Sequence, residues 1–314
     1  MHRLSAVVLT IFLIIALSLN MAPQSAPATP ASAYLGFDRN DYPGDANLKL
    51  LRQTFSYAGY WLNQPPGERA NTWTGKRQAV QSAGFGFLVL FNGRLYSQLK
   101  TALNAGRLGR SDAETAVVAV RREGFREGTV IFLDQEEGGR MLPQQKAYIY
   151  AWVDGVAAAG FRAGIYCSGI AAKEDGGSSV ITAEDIRQDS AGRKIVFWVA
   201  NDACPPSPGC AFPKHPPSPA ESGIDFAEVW QFAQSPKRRD VAARCPANYD
   251  RDGSCYPPGI DLTQRLHVDL NTAASADPSH GRALTGRSDH PFPVRLPCSW
   301  IFRIRNMTSC RIGS

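Results

Sequence analysis

The chain has 314 residues, with 34 Lys and Arg against 28 Asp and Glu for a net charge of +6, and it contains five His and seven Cys. The positive charge sits at the ends: residues 279–314 hold six Arg and one Asp, Arg3 adds one more, and residues 34–278 are left without net charge. A nucleic-acid surface on the central part therefore has no electrostatic basis, and no nucleic-acid partner is expected.

At the N-terminus, Arg3 precedes an apolar stretch from Leu4 to Leu19 and small, Pro-rich residues ending in Ala31-Ser32-Ala33. This is the pattern of a secretory signal peptide with an A-x-A cleavage site. An uncleaved anchor is the alternative, but the apolar run is short for a bilayer span. The domain scheme expected is a signal peptide over residues 1–33, one folded domain over 34–276, and a basic, loosely ordered tail over 277–314. No later stretch is apolar enough to span a membrane, so the mature chain is expected to be secreted, or periplasmic and associated with the cell wall. The tail could also touch an anionic wall or membrane surface, and its Asn306-Met307-Thr308 matches a glycosylation acceptor.

Short apolar runs follow at residues 34–37, 57–62, 85–91, 129–133, 162–167, 195–200, 229–232 and 266–270. Their near-continuous apolar character reads as strands covered on both faces. Helical composition and spacing occupy 45–55, 75–83, 112–123 and 144–159. Strand followed by helix, repeated, implies parallel strands joined by right-handed crossovers. Residues 203–222 are rich in Pro, Ser and Gly and residues 234–259 are polar, so the closing connections read as loops. The fold class expected is α/β: a TIM-like barrel of eight strands, with helices after the first five and loop connections among the last three. The roughly 240 residues involved suit one such barrel, and a monomer is expected. No repeat of fixed period points to a solenoid or propeller.

Cysteines in an exported chain favour disulfides. Proximity suggests Cys204 with Cys210, Cys245 with Cys255 and Cys298 with Cys310, which leaves Cys167 as a buried free thiol in an apolar run.

Nearly every strand ends on a polar or aromatic side chain: Asp38, Tyr60 with Trp61, Asn92, Asp134 with Glu136, Tyr166, Asn201 with Asp202, Gln231 and Asp269. In an α/β barrel these ends surround the active site. Acids flanked by Tyr, Trp, Asn and Gln suit a sugar, whose ring faces stack on aromatics and whose hydroxyls need hydrogen-bond partners. Within "IFLDQEEGGR", residues 131–140, the alternation of an extended chain puts Asp134 and Glu136 on one face and Gln135 and Glu137 on the other. Residues 34–278 offer only His215 and His267, too few for a multi-His metal centre or a Ser-His-Asp triad, so no metal and no cofactor is expected. No Gly-rich phosphate loop follows the first strand. Paired carboxylates remain, the equipment for cleaving a glycosidic bond.

The motifs carry a resemblance. Gly36-Phe37-Asp38, Asp134-Gln135-Glu136, Gly164-Ile165-Tyr166, Phe197-Trp198-Val199-Ala200, Trp230-Gln231-Phe232 and Val268-Asp269-Leu270-Asn271 resemble, in this order, the family 25 glycoside hydrolases, the Chalaropsis-type lysozymes. "YLGFDRNDYPG", "YAGYWL" and "GFGFLVLFNGR" resemble more closely the secreted glycoside-hydrolase-like domain of unknown function related to them. The likeness spans residues 34–276. It implies a barrel whose last three units lack helices, with Glu136 as general acid, Asp134 as its carboxylate partner, Asp38 as a substrate-orienting or stabilising acid and Asp269 as a further acid in the cleft. Trp61, Tyr166, Trp198 and Gln231 would line the subsites, together with the strand-end residues Asn92 and Asp202. Glu136 should then be protonated near neutral pH and Asp134 ionised through hydrogen bonds at the strand end. Arg39-Asn40-Asp41 stands where the lysozymes place a small hydroxyl residue after the first Asp, so the sugar-binding floor is expected to differ.

The function expected is a secreted glycoside hydrolase acting on peptidoglycan or another cell-wall polysaccharide by carboxylate acid/base chemistry. The alternative is a catalytically inactive cell-wall glycan-binding protein with the same barrel. A metal-dependent phosphodiesterase or deacetylase barrel is a third reading, disfavoured by the shortage of His.

Overall fold

A computed structural model describes residues 33–202, 215–234 and 255–282. The expected signal peptide, Cys204, Cys210, Cys245, Cys298, Cys310 and Asn306 lie outside these residues.

The elements follow in chain order as β1 (Tyr34–Asp38), α1 (Asp45–Leu51), β2 (Tyr57–Trp61), α2 (Arg77–Ser82), β3 (Gly86–Asn92), α3 (Ala102–Arg122), β4 (Val130–Asp134), α4 (Pro143–Ala158) and β5 (Arg162–Ser168). A small hairpin, β6 (Ala171–Lys173) and β7 (Ser179–Ile181), leads into α5 (Thr182–Gln188), and β8 (Ile195–Ala200), β9 (Ala227–Ala233) and β10 (Asp269–Ala273) complete the set. Eight of the strands close into a barrel in the order β1-β10-β9-β8-β5-β4-β3-β2. Each of the first five barrel strands is followed by a helix, as the alternation of patterns implies. Burial is continuous along β2, β4 and most of β3, β5 and β8, because one face packs inside the barrel and the other under the helices. Each fully buried Phe or Leu there contributes roughly 1.5–3 kcal/mol.

The last strand departs from expectation. It spans Asp269–Ala273 rather than 266–270, and it runs antiparallel to both β1 and β9. The apolar residues just before it serve the connection, where Val268 donates its backbone N–H to Cys255 at 3.0 Å. Running antiparallel to its neighbours, the strand enters the sheet from the mouth at which β9 leaves it. The barrel is therefore mixed. Helix α3 is also longer than its pattern, starting at Ala102 behind the N-cap Thr101, whose hydroxyl accepts the Asn104 N–H; Gly106 and Gly109 interrupt the helical composition in the added turns.

Contacts to the barrel continue past residue 276, where the tail was expected to begin. Asp277 accepts the Phe87 N–H at 2.8 Å, Ser279 Oγ accepts the Val89 N–H at 2.8 Å, and the Ser279 carbonyl accepts the Val130 N–H at 2.9 Å. Residues 277–282 thus take up backbone donors at the start of β3 and β4. Gly86 is required beneath them, because a Cβ there would sit 2.0 Å from the carbonyl oxygen of Ala276. Cys167 is a free, buried thiol, and burial pushes its pKa well above the usual range, so it is inert as a nucleophile. Among the described residues no helix is long and apolar enough to cross a membrane.

Candidate active site

Asp38 is the last residue of β1 and is buried. Its Oδ1 accepts N–H donors from Asn271 on β10 at 2.6 Å and from Gln231 on β9 at 3.0 Å. Both amides are held in the donating orientation from behind. Trp198 Nε1 donates to Asn271 Oδ1 at 2.9 Å, and the Tyr166 hydroxyl and Gln234 Nε2 both donate to Gln231 Oε1 at 2.8 Å. An amide whose oxygen is occupied by donors must present its nitrogen elsewhere, here to the carboxylate. Burial raises the Asp38 pKa to about 6, the two amides opposing it and the Glu136 charge adding to it. Gly59 on β2 makes room for this acid, since a Cβ at that position would lie 2.6 Å from Asp38 Cβ.

Asp134 ends β4 and is 5% exposed. Neither of its carboxyl oxygens has a hydrogen-bond partner. Burial holds the Asp134 pKa well above the usual carboxylate range, and the charges of Glu136 and Asp38 push it further. Burial raises Glu136 as well, with Asp134 opposing that shift. A raised Asp134 is the reverse of the ionised partner expected there. The reason is local: the backbone N–H of Gln135 is taken by the Tyr166 carbonyl and that of Gly93 by the Asp134 carbonyl, and neither reaches the Asp134 carboxyl.

The alternation expected for this stretch holds only in part. Glu137 faces away, accepting the Tyr96 N–H at 2.7 Å and Gln145 Nε2 at 3.0 Å, whereas Gln135, buried with Nε2 3.4 Å from the Glu137 carbonyl, lines the same cavity as Glu136, because the strand ends at Asp134. The loop beyond is fixed by Thr182, whose hydroxyl bonds both the N–H and the carbonyl of Gly139, and by Asp185, which accepts the Met141 N–H at 2.9 Å. The acids therefore stand on a rigid support.

Tyr166 reports how the acids lie relative to one another. After burial, the causes that raise its hydroxyl pKa are the charges of Glu136, Asp134, Asp38 and Asp269, so all four carboxylates act on one hydroxyl. Asp269 reaches this mouth by beginning an antiparallel strand, opposite Asp38 in the β1–β10 register, and not by ending a parallel one. A cavity of about 370 Å³ opens beside Glu136, Tyr166, Asp202, Gln135 and Gln234, with the β6–β7 hairpin forming its outer wall. No cation contributes to the pKa shifts of Asp38, Asp134 or Glu136. Among the described residues no group of three or more His, Cys, Asp or Glu is placed to hold a metal ion.

Residues 53–203 match the family model of the Rv2525c-like, glycoside hydrolase-like domain. Over these residues the chain is similar to that domain. The matched part holds Asp134 and Glu136 and stops short of Gln231 and Asn271. Solved structures with a similar course include an uncharacterized B. stearothermophilus protein (20% identity over 76% of this chain and 95% of that one, TM-score 0.48). The Mycobacterium tuberculosis Tat-secreted protein Rv2525c is 13% identical over 80% of this chain and 98% of its own, with TM-score 0.45. The bacterial lysozyme from Streptomyces coelicolor is 15% identical over 76% and 91%, with TM-score 0.41. No curated protein matches the chain.

Within the barrel the expected subsite residues divide. Glu136, Tyr166 and Asp202 line the cavity. Trp61 and Trp198 do not present a face to it: Trp61 is buried with Nε1 on the Arg39 carbonyl at 3.2 Å, and Trp198 is buried with its ring centroid 4.4 Å from that of Tyr166. Large apolar rings at strand ends are drawn into the core unless something props them outward. Asn92 is spent on the loops, its Nδ2 donating to the Gln64 carbonyl and its N–H to Asn63 Oδ1. Gln231 acts through Asp38. Sequence reasoning passed over Asn271 and Gln234; Asn271 could have been found from Asp269, two residues earlier and so on the same face of a strand.

Proposed function

We propose that the protein is a secreted glycoside hydrolase that cleaves peptidoglycan or another cell-wall polysaccharide by carboxylate acid/base chemistry. One observation carries the reading: Asp38 and Asp134, both buried, end their strands at the barrel mouth where Glu136 lines the cavity. A purely structural carboxylate cluster would be destabilising, whereas acids with separated pKa values are what glycosidic cleavage needs. Glu136 lines the cavity and is the group that protonates the leaving oxygen. Asp134, buried beside it, is the second carboxyl of the pair. Asp38, its ionised form favoured by Asn271 and Gln231, stabilises the positive charge that develops on the sugar ring. Export rests on the N-terminal sequence, and the wall glycan on the resemblance of the strand-end motifs.

The test is direct. Wild-type protein incubated with purified peptidoglycan and a panel of wall glycans should release new reducing ends somewhere between about pH 4 and 8, the window in which such acids titrate. Glu136→Gln should lower release by about 100-fold or more and leave glycan binding intact. Binding without release at every pH would replace the hydrolase by an inactive glycan-binding barrel.

A further inference from the structure

At the opposite end of the barrel, where β5, β8 and β9 begin, lies a groove of about 600 Å³. Arg162, Arg187, Arg193 and Lys194 line it against a single acid, Glu228, over an apolar floor that includes Phe197 and Phe226. Two of the cations are neighbours across the sheet. Arg162 precedes Ala163 and Lys194 precedes Ile195, and Ala163 and Ile195 are register partners in the parallel β5–β8 pair. Like charges at adjacent positions of neighbouring strands oppose sheet formation. Among the described residues no ion pair relieves either: Arg193 takes Asp154 at 2.8 and 2.9 Å, and Arg187 lies 3.5 Å from the exposed Asp225. Arg187 also covers the Phe226 ring, with its guanidinium carbon 4.1 Å from the ring centroid. The groove is thus rigid on one side, charged on the other, and in excess of positive charge.

We propose that this groove binds a phosphodiester-bearing polymer, with one phosphate seated between Arg162 and Lys194 and the adjoining sugar or polyol lying along the apolar floor. An anion between these two cations removes the repulsion that the fold otherwise carries. The non-bridging oxygens of a phosphodiester diverge and reach cations on two separate strands, whereas the coplanar oxygens of a carboxylate match a single guanidinium fork. The volume exceeds that of an isolated phosphate several times over, and Arg187 stands further along the same groove for the next one. The site is remote from the carboxylate mouth, so it tethers the protein to an anionic polymer without occupying the cavity beside Glu136.

The full-length protein should be titrated with poly(glycerol phosphate), with neutral dextran and with polyglutamate, alongside the double variant Arg162→Glu, Lys194→Glu. Both side chains are exposed, and an unchanged circular-dichroism melting curve shows that the variant is folded. The basic residues 279–314 are common to both proteins, so the difference between them reports the groove alone. Wild type should bind poly(glycerol phosphate) more tightly than polyglutamate and should not bind dextran. The double variant should lose about tenfold or more in affinity, with a shallower dependence on salt. Equal affinity of variant and wild type, equal affinity for the carboxylate polymer, or no binding by wild type would each overturn the proposal.

Discussion

Asp134 is buried at the end of β4 beside Glu136, and no hydrogen-bond donor reaches its carboxyl oxygens. Its ionisation is therefore sensitive to pH in a defined direction. The folded-state pKa of Asp134 lies well above its ordinary value, so the folded chain holds a proton that the unfolded chain releases. Stability from this group is complete below the unfolded pKa and is lost as pH rises through the folded one. Asp134→Asn cannot ionise, so its urea midpoint should gain on that of wild type as pH rises above the ordinary carboxylate value of about 4.

Asp38 obeys the same sign within a narrower window. Its pKa rises from 3.8 to about 6 on folding, which corresponds to about 3 kcal/mol lost between pH 4 and pH 7. The difference in stability between wild type and Asp38→Asn, followed against pH, should show that slope and flatten above it. Activity should run the other way. If an ionised Asp38 stabilises the reacting sugar, release of reducing ends rises with pH through about 6, so the protein gains activity where it gives up stability.

Trp198 offers a test of the amide network without touching an acid. Trp198→Phe removes the N–H that occupies Asn271 Oδ1, and the Asn271 amide is then free to turn its nitrogen away from Asp38. The Asp38 pKa should move above its present value of about 6, read from the carboxyl carbon shift in an NMR titration. The unfilled buried acceptor should cost about 1–3 kcal/mol in thermal or denaturant unfolding. An unchanged titration with only the stability loss would mean that Trp198 packs the barrel and does not orient Asn271.

Residues 277–282 can be tested by truncation. A chain ending at Arg282 keeps the partners of the Phe87, Val89 and Val130 N–H groups, and one ending at Ala276 leaves all three without them. Each orphaned buried donor costs about 1–3 kcal/mol, so the shorter chain should unfold at much lower urea while the longer one matches the full-length barrel.

The barrel was legible because its strands are buried on both faces, and apolar runs separated by helical patterns have few other solutions. The direction of the last strand was not. Residues 266–270 look apolar whether they belong to the sheet or to the connection, and only the absence of a helix before them hints that the chain returns the other way. The acids at 38, 134 and 136 stood out as polar residues closing apolar runs. Their protonation did not, since it depends on which backbone N–H groups are already taken at the end of β4, a property of strand pairing and not of composition. Trp61 and Trp198 were misjudged for a related reason: the same ring suits a sugar platform or a core, and only the packing around it decides.

The seam between β1 and β10 joins residues 34–38 to residues 269–273, nearly the full length of the described chain apart. Pairings so distant in sequence are the slowest to form, because the loop they close is the longest. Asp38 is made early, yet Asn271 and Gln231, which hold its carboxylate, come from the last two strands. A growing or partly unfolded chain therefore carries its acids without the amides that orient them. Closing the barrel and assembling the carboxylate site are one event.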